Sequence, residues 1–282
     1  MSAYPFDPDL IEQLRQKIAS KHEELSSGPA PPGMVPLKIV CTMTSCNHGR
    51  HCLDHLRRPH KYSGEVAPGN CRDCGAPVTT MPGAGDLRYG DPDQLASTLE
   101  SQQHELIRAH YWHVPIDEWA YNQALRLGKT ELLHRIEKAV VAAMTSTDAW
   151  AGRAAPYTKN IVAYAQHATA TCCRNCGAYW HGISRDQSVA PTTEQLNHTV
   201  WAAQAWLNIR LPDLPEFGRE VPAIRRANLP GTDRVSMIDD QVMDKLTAGT
   251  DPTGLVVPDD THLSITAARG SLVVARMINI DR

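Results

Sequence analysis

A mainly helical α+β fold is predicted by three observations along this 282-residue chain. Apolar residues recur at helical spacing through much of residues 93–211, and β-branched or alternating residues gather near the C-terminus. All eight cysteines fall into two tight groups, so the fold class includes crosslinked, cysteine-bearing parts beside the helices. With only two Phe in the chain, the apolar core must be carried by Trp, Leu, Val and Ala.

The elements follow in order. Residues 8–26 predict an amphipathic helix with Leu10, Leu14, Ile18 and Leu25 roughly on one face, and the GPAPPG stretch at 28–33 ends it as a stiff linker. Residues 36–41 read as a short strand leading into a polar, turn-rich segment that runs to Val78, and a Gly/Pro-rich connection covers 79–92. Residues 93–110 place Leu95, Leu99, Leu106 and Ile107 on a helical period. Pro115 interrupts, Asp117 caps a helix through Leu127, and Gly128 ends it. Residues 130–144 continue as a helix with Leu133, Ile136, Val140 and Val141 inward, and 145–160 are loop. Residues 161–182 carry the second cysteine group; 192–211 form a helix striped by Leu196, Val200, Ala203 and Leu207 and ended by prolines. In the tail, 254–257, 261–266 and 271–280 suit a small β element.

Composition excludes some classes. No apolar run reaches eighteen residues, so no transmembrane helix is expected. Residues 1–9 lack a basic start followed by an apolar stretch, so no secretory signal is expected and the protein is placed in the cytoplasm. The formal net charge of −3 gives no global attraction for nucleic acid, although residues 34–75 carry a local excess of +3. Arg50, Arg57, Arg58 and Lys61 are the candidates for a basic contact surface there.

The first cysteine group pairs Cys41-x4-Cys46 with Cys71-x2-Cys74 across 24 intervening residues. A reducing compartment disfavours disulfides, and tetrahedral Zn2+ takes four soft ligands at about 2.3 Å from two tight turns. The Gly after Cys74 permits the turn that aims backbone amides at sulfur. Cys41, Cys46, Cys71 and Cys74 are therefore the predicted ligands, with Cys52, His48, His51 and His55 competing for the place of Cys46. A thioredoxin-like redox role for Cys71 and Cys74 lacks the surrounding βαβ pattern.

In the second group, Cys173 and Cys176 stand three residues apart on one helical face, and His167 and His181 can complete four ligands. Cys172 is the rival to either histidine. One or two zinc ions are expected in all.

The segment YAQHATATCCRNCGAYWHGI at 164–183 closely resembles the signature of a bacterial and phage family known only as a domain of unknown function. Its members carry AQHATATCCR-x-C followed by WH-x-I. The likeness extends more loosely over 135–214, and a longer form shares the CRxCG knuckle and the ELIR-x-HYWH segment at 105–117. The usual GIPKGR stretch is GISRDQ here, and Ala178 replaces a common Lys or Glu. The resemblance implies a Cys/His site and no assigned reaction.

Glu105, His110 and His113, with Arg108 and Trp112 among them, are the candidate chemical centre, Glu105 as general base beside His167 and His181. The leading functional expectation is a zinc-stabilised module binding nucleic acid or a nucleoprotein. A metal-dependent hydrolase or nuclease using Glu105 and His113 is the alternative, and a structural or regulatory adaptor the third. The expected organisation is an N-terminal helix and linker (1–33), a zinc-knuckle subdomain (34–92), a helical zinc-containing core (93–226) and a small β-containing appendage (227–282).

Overall fold

The computed structural model describes residues 8–19, 39–53, 64, 70–77, 87–113, 116–147, 160–221, 261–268 and 271–278. Among these the chain is mainly helical. The helices are α1 (Pro8–Ala19), α2 (Pro92–Gln102), α3 (Leu106–His113), α4 (Glu118–Thr145), α5 (Ile161–Ala168), α6 (Arg174–His181) and α7 (Thr193–Arg210). Two strands, β1 (Thr261–Ala268) and β2 (Ser271–Ile278), pair antiparallel with Ala268 opposite Ser271. No described helix is long and apolar enough to cross a membrane.

Local chemistry sets the helix limits. Asp91 Oδ1 accepts from the backbone N–H groups of Asp93 and Gln94 at 2.9 and 3.2 Å, and Pro92 opens α2 where its missing donor is harmless. The helix predicted over 93–110 is two helices. Gln103 N donates to Glu100 O, and His104 N to Ser101 O, so the chain tightens into three-residue turns before α3 begins. Asp117 caps α4 through the Ala120 N–H at 3.0 Å. Gly128 ends the first stretch of α4 as expected, at the non-helical φ 73° and ψ 172°, and helix resumes beyond it to Thr145. A Cβ there would lie 2.4 Å from Gly218 N and Phe217 C, because the 215–219 segment docks on the break. Lys129 N and Thr130 N donate to Pro215 O and Glu216 O, and Arg219 N donates to Leu125 O.

The core lies among these helices. α4 packs on α5 and α7, α3 on α5, and α1 crosses α2 and α7 with Leu14 fully buried. Trp112, Trp180, Trp201 and Trp206 are buried almost completely, while Phe217 is 76% exposed. Tryptophan thus fills the space that phenylalanine does not. Two arginines inside this core donate to carbonyl oxygens, which replace hydration lost on burial. Arg210 Nη1 donates to Tyr111 O at 2.9 Å, and Arg174 donates to Ser184 O at 2.7 Å and Asp186 O at 2.8 Å, holding the loop after α6.

Of the strand predicted at 36–41, residues 36–38 lie outside the described residues, and 39–41 are not in a strand. Ile39 is buried, but Met43 N donates to Val40 O at 3.1 Å, so the chain turns with no neighbouring strand to pair. The end of the first predicted helix and the segment at 254–257 lie outside the described residues.

Candidate metal centres

A tight reversal of the chain builds the first group. Ser45 N donates to Arg50 O at 2.8 Å and Arg50 N to Ser45 O at 3.0 Å, closing a loop around a short 3-10 turn, Cys46–His48. This closure returns His51 to the side of Cys46. The knuckle closes the other half: Gly75 N donates to Cys71 O, Cys71 N donates to Ala76 O, and Gly75 takes φ 72°.

The outcome is a cluster of Cys46, His51, Cys71 and Cys74 whose ligand atoms all lie within 4.8 Å of one another. Cys46 Sγ is 3.8 Å from Cys71 Sγ, and Cys74 Sγ is 3.5 Å from His51 Nδ1. A zinc tetrahedron with bonds of about 2.3 Å to sulfur and about 2.0 Å to nitrogen has edges of about 3.8 Å (S···S) and about 3.5 Å (S···N). These two contacts are compatible with one metal ion held among the four donors.

Three predicted ligands, Cys46, Cys71 and Cys74, meet in this group, and Cys41 does not. His51 occupies the fourth corner instead. Cys41 precedes the Ser45–Arg50 closure and packs against the helical core, with its carbonyl 3.9 Å from Cys52 Sγ. His48 is 2.7 Å from the Ser45 hydroxyl. His55 lies outside the described residues.

Electrostatics distinguish the thiols of this group. Burial, with the neighbouring Cys74 and Cys71, pushes Cys46 up to about 12. Burial also opposes ionisation of Cys71, but the backbone amides of Cys74, Cys52 and Asp73 and the His51 ring outweigh it, lowering that thiol to about 6. Cys71 is the natural first thiolate.

The second group is formed where α5 turns into α6. Asn160 caps α5 at Val162 N, and after Thr169 the chain passes through Ala170 at φ 57° before Cys173 starts α6. The turn brings Cys172, Cys173 and Cys176 together, all buried and mutually within 4.8 Å. Cys176 Sγ lies 3.7 Å from Cys172 Sγ and 3.5 Å from Cys173 Sγ. The adjacent pair Cys172 and Cys173 thus shares one cluster, and neither His167 nor His181 is a member. The His167 ring stacks on Tyr111 at 5.3 Å, while His181 Nε2 is 2.7 Å from Thr169 O.

A buried cation faces these sulfurs. Arg108 Nη2 is 3.2 Å from Cys176 Sγ and Nη1 is 3.9 Å from Cys172 Sγ. Arg108 Nε donates to Glu105 Oε2 at 2.9 Å, and Trp180 Nε1 donates to the same oxygen at 3.3 Å. Cys173 and Cys176, followed by the guanidinium, hold the Cys172 thiol well below its ordinary range.

The residues of the candidate chemical centre have separate partners. Glu105 is buried in its pair with Arg108, His113 Nε2 lies 3.2 Å from Gln103 Oε1, and His110 stands edge-on to Tyr111 at 5.0 Å. Burial, then the charge of Arg210, lowers His110 to about 3. Of the basic candidates, Arg50 donates to Gln103 O at 2.9 Å, and Arg57, Arg58 and Lys61 lie outside the described residues. Sequence reasoning did not single out His198 or Gln102. His198 is fully buried beside His181, with ring centroids 5.8 Å apart, and Gln102 Nε2 donates to Thr169 O at 3.2 Å. Only the apolar positions around them marked the two residues as interior.

A family model described as a domain of unknown function (DUF4186) matches residues 96–208. That stretch runs from α2 to α7 and contains Glu105, Arg108 and the second cysteine group, but none of the first. No solved structure matches the chain.

Proposed function

We propose that this chain is a zinc-stabilised binding module with two thiolate-rich centres. The first is a closed structural site on Cys46, His51, Cys71 and Cys74. The second is anchored on Cys172, Cys173 and Cys176. The observation that carries this reading is metric: contacts of 3.8 Å (S···S) and 3.5 Å (S···N) in the first group match the edges of a zinc tetrahedron, and in the second group Cys172 and Cys176 lie 3.7 Å apart, close to the S···S edge, with Cys173 and Cys176 closer at 3.5 Å. Zinc held at the first centre would crosslink the 46–51 and 71–74 segments, and four protein donors there leave no position for substrate.

The same geometry supports a module over a hydrolase. Glu105 Oε2 already accepts from Arg108 and Trp180, which favours a positioning role for this carboxylate over that of a general base. Nucleic acid is the partner class we propose for the basic stretch at 34–75. Zinc quantification on the full chain, combined with single substitutions of Cys74 and Cys176 to Ser, tests the metal reading; each variant is expected to lose one ion and keep the other element's thiols protected from alkylation. For the partner, binding to duplex and single-stranded probes should weaken with salt and on joint substitution of Arg57 and Arg58 by Glu. Binding indifferent to both changes removes nucleic acid from the proposal.

A further inference from the structure

We propose that Glu105 and Arg108 form the outer shell of the second centre and, through His51, make the loading of the two centres interdependent. The inference rests on the two-centre reading above. Three thiolates around one dication leave an excess negative charge in a buried place, where it is costly unless paired. Arg108, with a fully buried side chain, supplies the opposite charge to Cys176 at 3.2 Å and Cys172 at 3.9 Å. A guanidinium so placed favours the deprotonated, metal-binding sulfurs over neutral thiols. Glu105 fixes that guanidinium at 2.9 Å and is itself fixed by Trp180.

The backbone that carries Glu105 is joined to the first centre. His51 N donates to His104 O at 2.7 Å, His51 and Glu105 form a parallel bridge, and Arg50 Nη1 donates to Gln103 O at 2.9 Å. The loop that presents two ligands of the first centre, Cys46 and His51, is thus attached to the turn that presents Glu105 to Arg108. A second, apolar route runs in parallel. Leu53 and Cys71 share one buried cluster with Ala170, Cys172, Cys173, Cys176 and Trp180. An ion at the first centre orders residues 45–53, and that order sets the Glu105–Arg108 pair against the second sulfur group. By linkage, an ion at the second centre strengthens the first by the same factor.

The test is a zinc titration of the full chain, stripped by chelator under reducing conditions, with bound ions counted by native mass spectrometry. The wild-type protein should pass from no ion to two ions with the one-ion species depleted below the statistical proportion. Cys74→Ser removes a ligand only from the first centre, yet should weaken the second by about tenfold or more, as loss of outer-shell partners does. Glu105→Gln should weaken the second centre similarly with every ligand in place. Arg50→Ala, which removes no ligand, should reduce the cooperativity and decides the matter if Glu105→Gln fails to fold. Two ions filling independently, with second-centre affinity unchanged in Cys74→Ser and Arg50→Ala, overturns the coupling and spares the two-centre reading. A wild-type chain that takes up one ion or none overturns both.

Discussion

The segment at 39–77 and the helical body of α2–α7 solve the same folding problem with different material. In the body, Trp112, Trp201, Trp206, Leu95, Leu99 and Ile136 are each at most 2% exposed, and helix packing excludes water without help. Among the described residues of the 39–77 segment, Ile39 and Leu53 are the buried aliphatics. What it holds instead is three sulfurs and one imidazole whose ligand atoms lie within 4.8 Å of one another. Burial stabilises by area and tolerates many sequences, whereas a metal site stabilises through four specific atoms and fails when one is lost. The second cysteine group sits where the two regions meet.

Removing metal should break the comparison most visibly. A structural zinc contributes on the order of 10 kcal/mol in small zinc modules. Chelation should therefore collapse amide hydrogen-exchange protection in 39–77 while α4, α5 and α7 retain theirs. Equal loss in both regions would mean that the body depends on metal as much as the segment does.

Within the body, Gly128→Ala should have the next largest effect. The new Cβ meets backbone atoms at 2.4 Å, and φ 73° already disfavours it, so a loss of about 2–4 kcal/mol is expected from chemical denaturation. A change below about 0.5 kcal/mol would show that the 215–219 segment moves away freely.

Acid should act on the body through His198 and His181. Burial lowers His198 to about 3 and His181 to about 4. Folded values below the unfolded value of about 6.5 mean that the unfolded chain binds more protons in the interval. Their contribution to stability is complete above about pH 6.5 and is lost as pH falls toward the folded values. Between pH 7 and pH 5 the His198 share is about 2 kcal/mol. His198→Leu should flatten that slope in paired urea titrations, and an unchanged slope would remove His198 as its source. The smallest effect is expected at the start of α7, where Thr192 Oγ1 accepts from Gln195 N at 3.2 Å and Gln195 Oε1 accepts from Thr192 N at 2.9 Å. Thr192→Ala should lower the thermal midpoint by an amount equivalent to about 1 kcal/mol.

The body's elements were legible because apolar residues at 3.6-residue spacing in 130–144 and 192–211 leave few other ways to bury them. The division between α2 and α3 was not, since Leu99, Leu106 and Ile107 keep a helical phase across a turn made by backbone bonds alone. Cys46, Cys71 and Cys74 could be picked from spacing. The fourth corner could not, because Cys41, His48 and His51 are all within reach of a short loop. The choice depends on Ser45 pairing with Arg50, and nothing in residue type announces that bridge. The place of Cys172 stayed open in the sequence because His167 and His181 could fill the same corners; the Ala170 backbone at φ 57° turns the chain into the arrangement that gathers the three cysteines.

Zinc content per chain, measured on full-length protein purified under reducing conditions without added metal, tests the central claim most directly. Two equivalents, falling to one in Cys74→Ser and in Cys176→Ser, is the predicted result. A metal-free chain with undiminished helicity and unreactive, ordered thiols would contradict it.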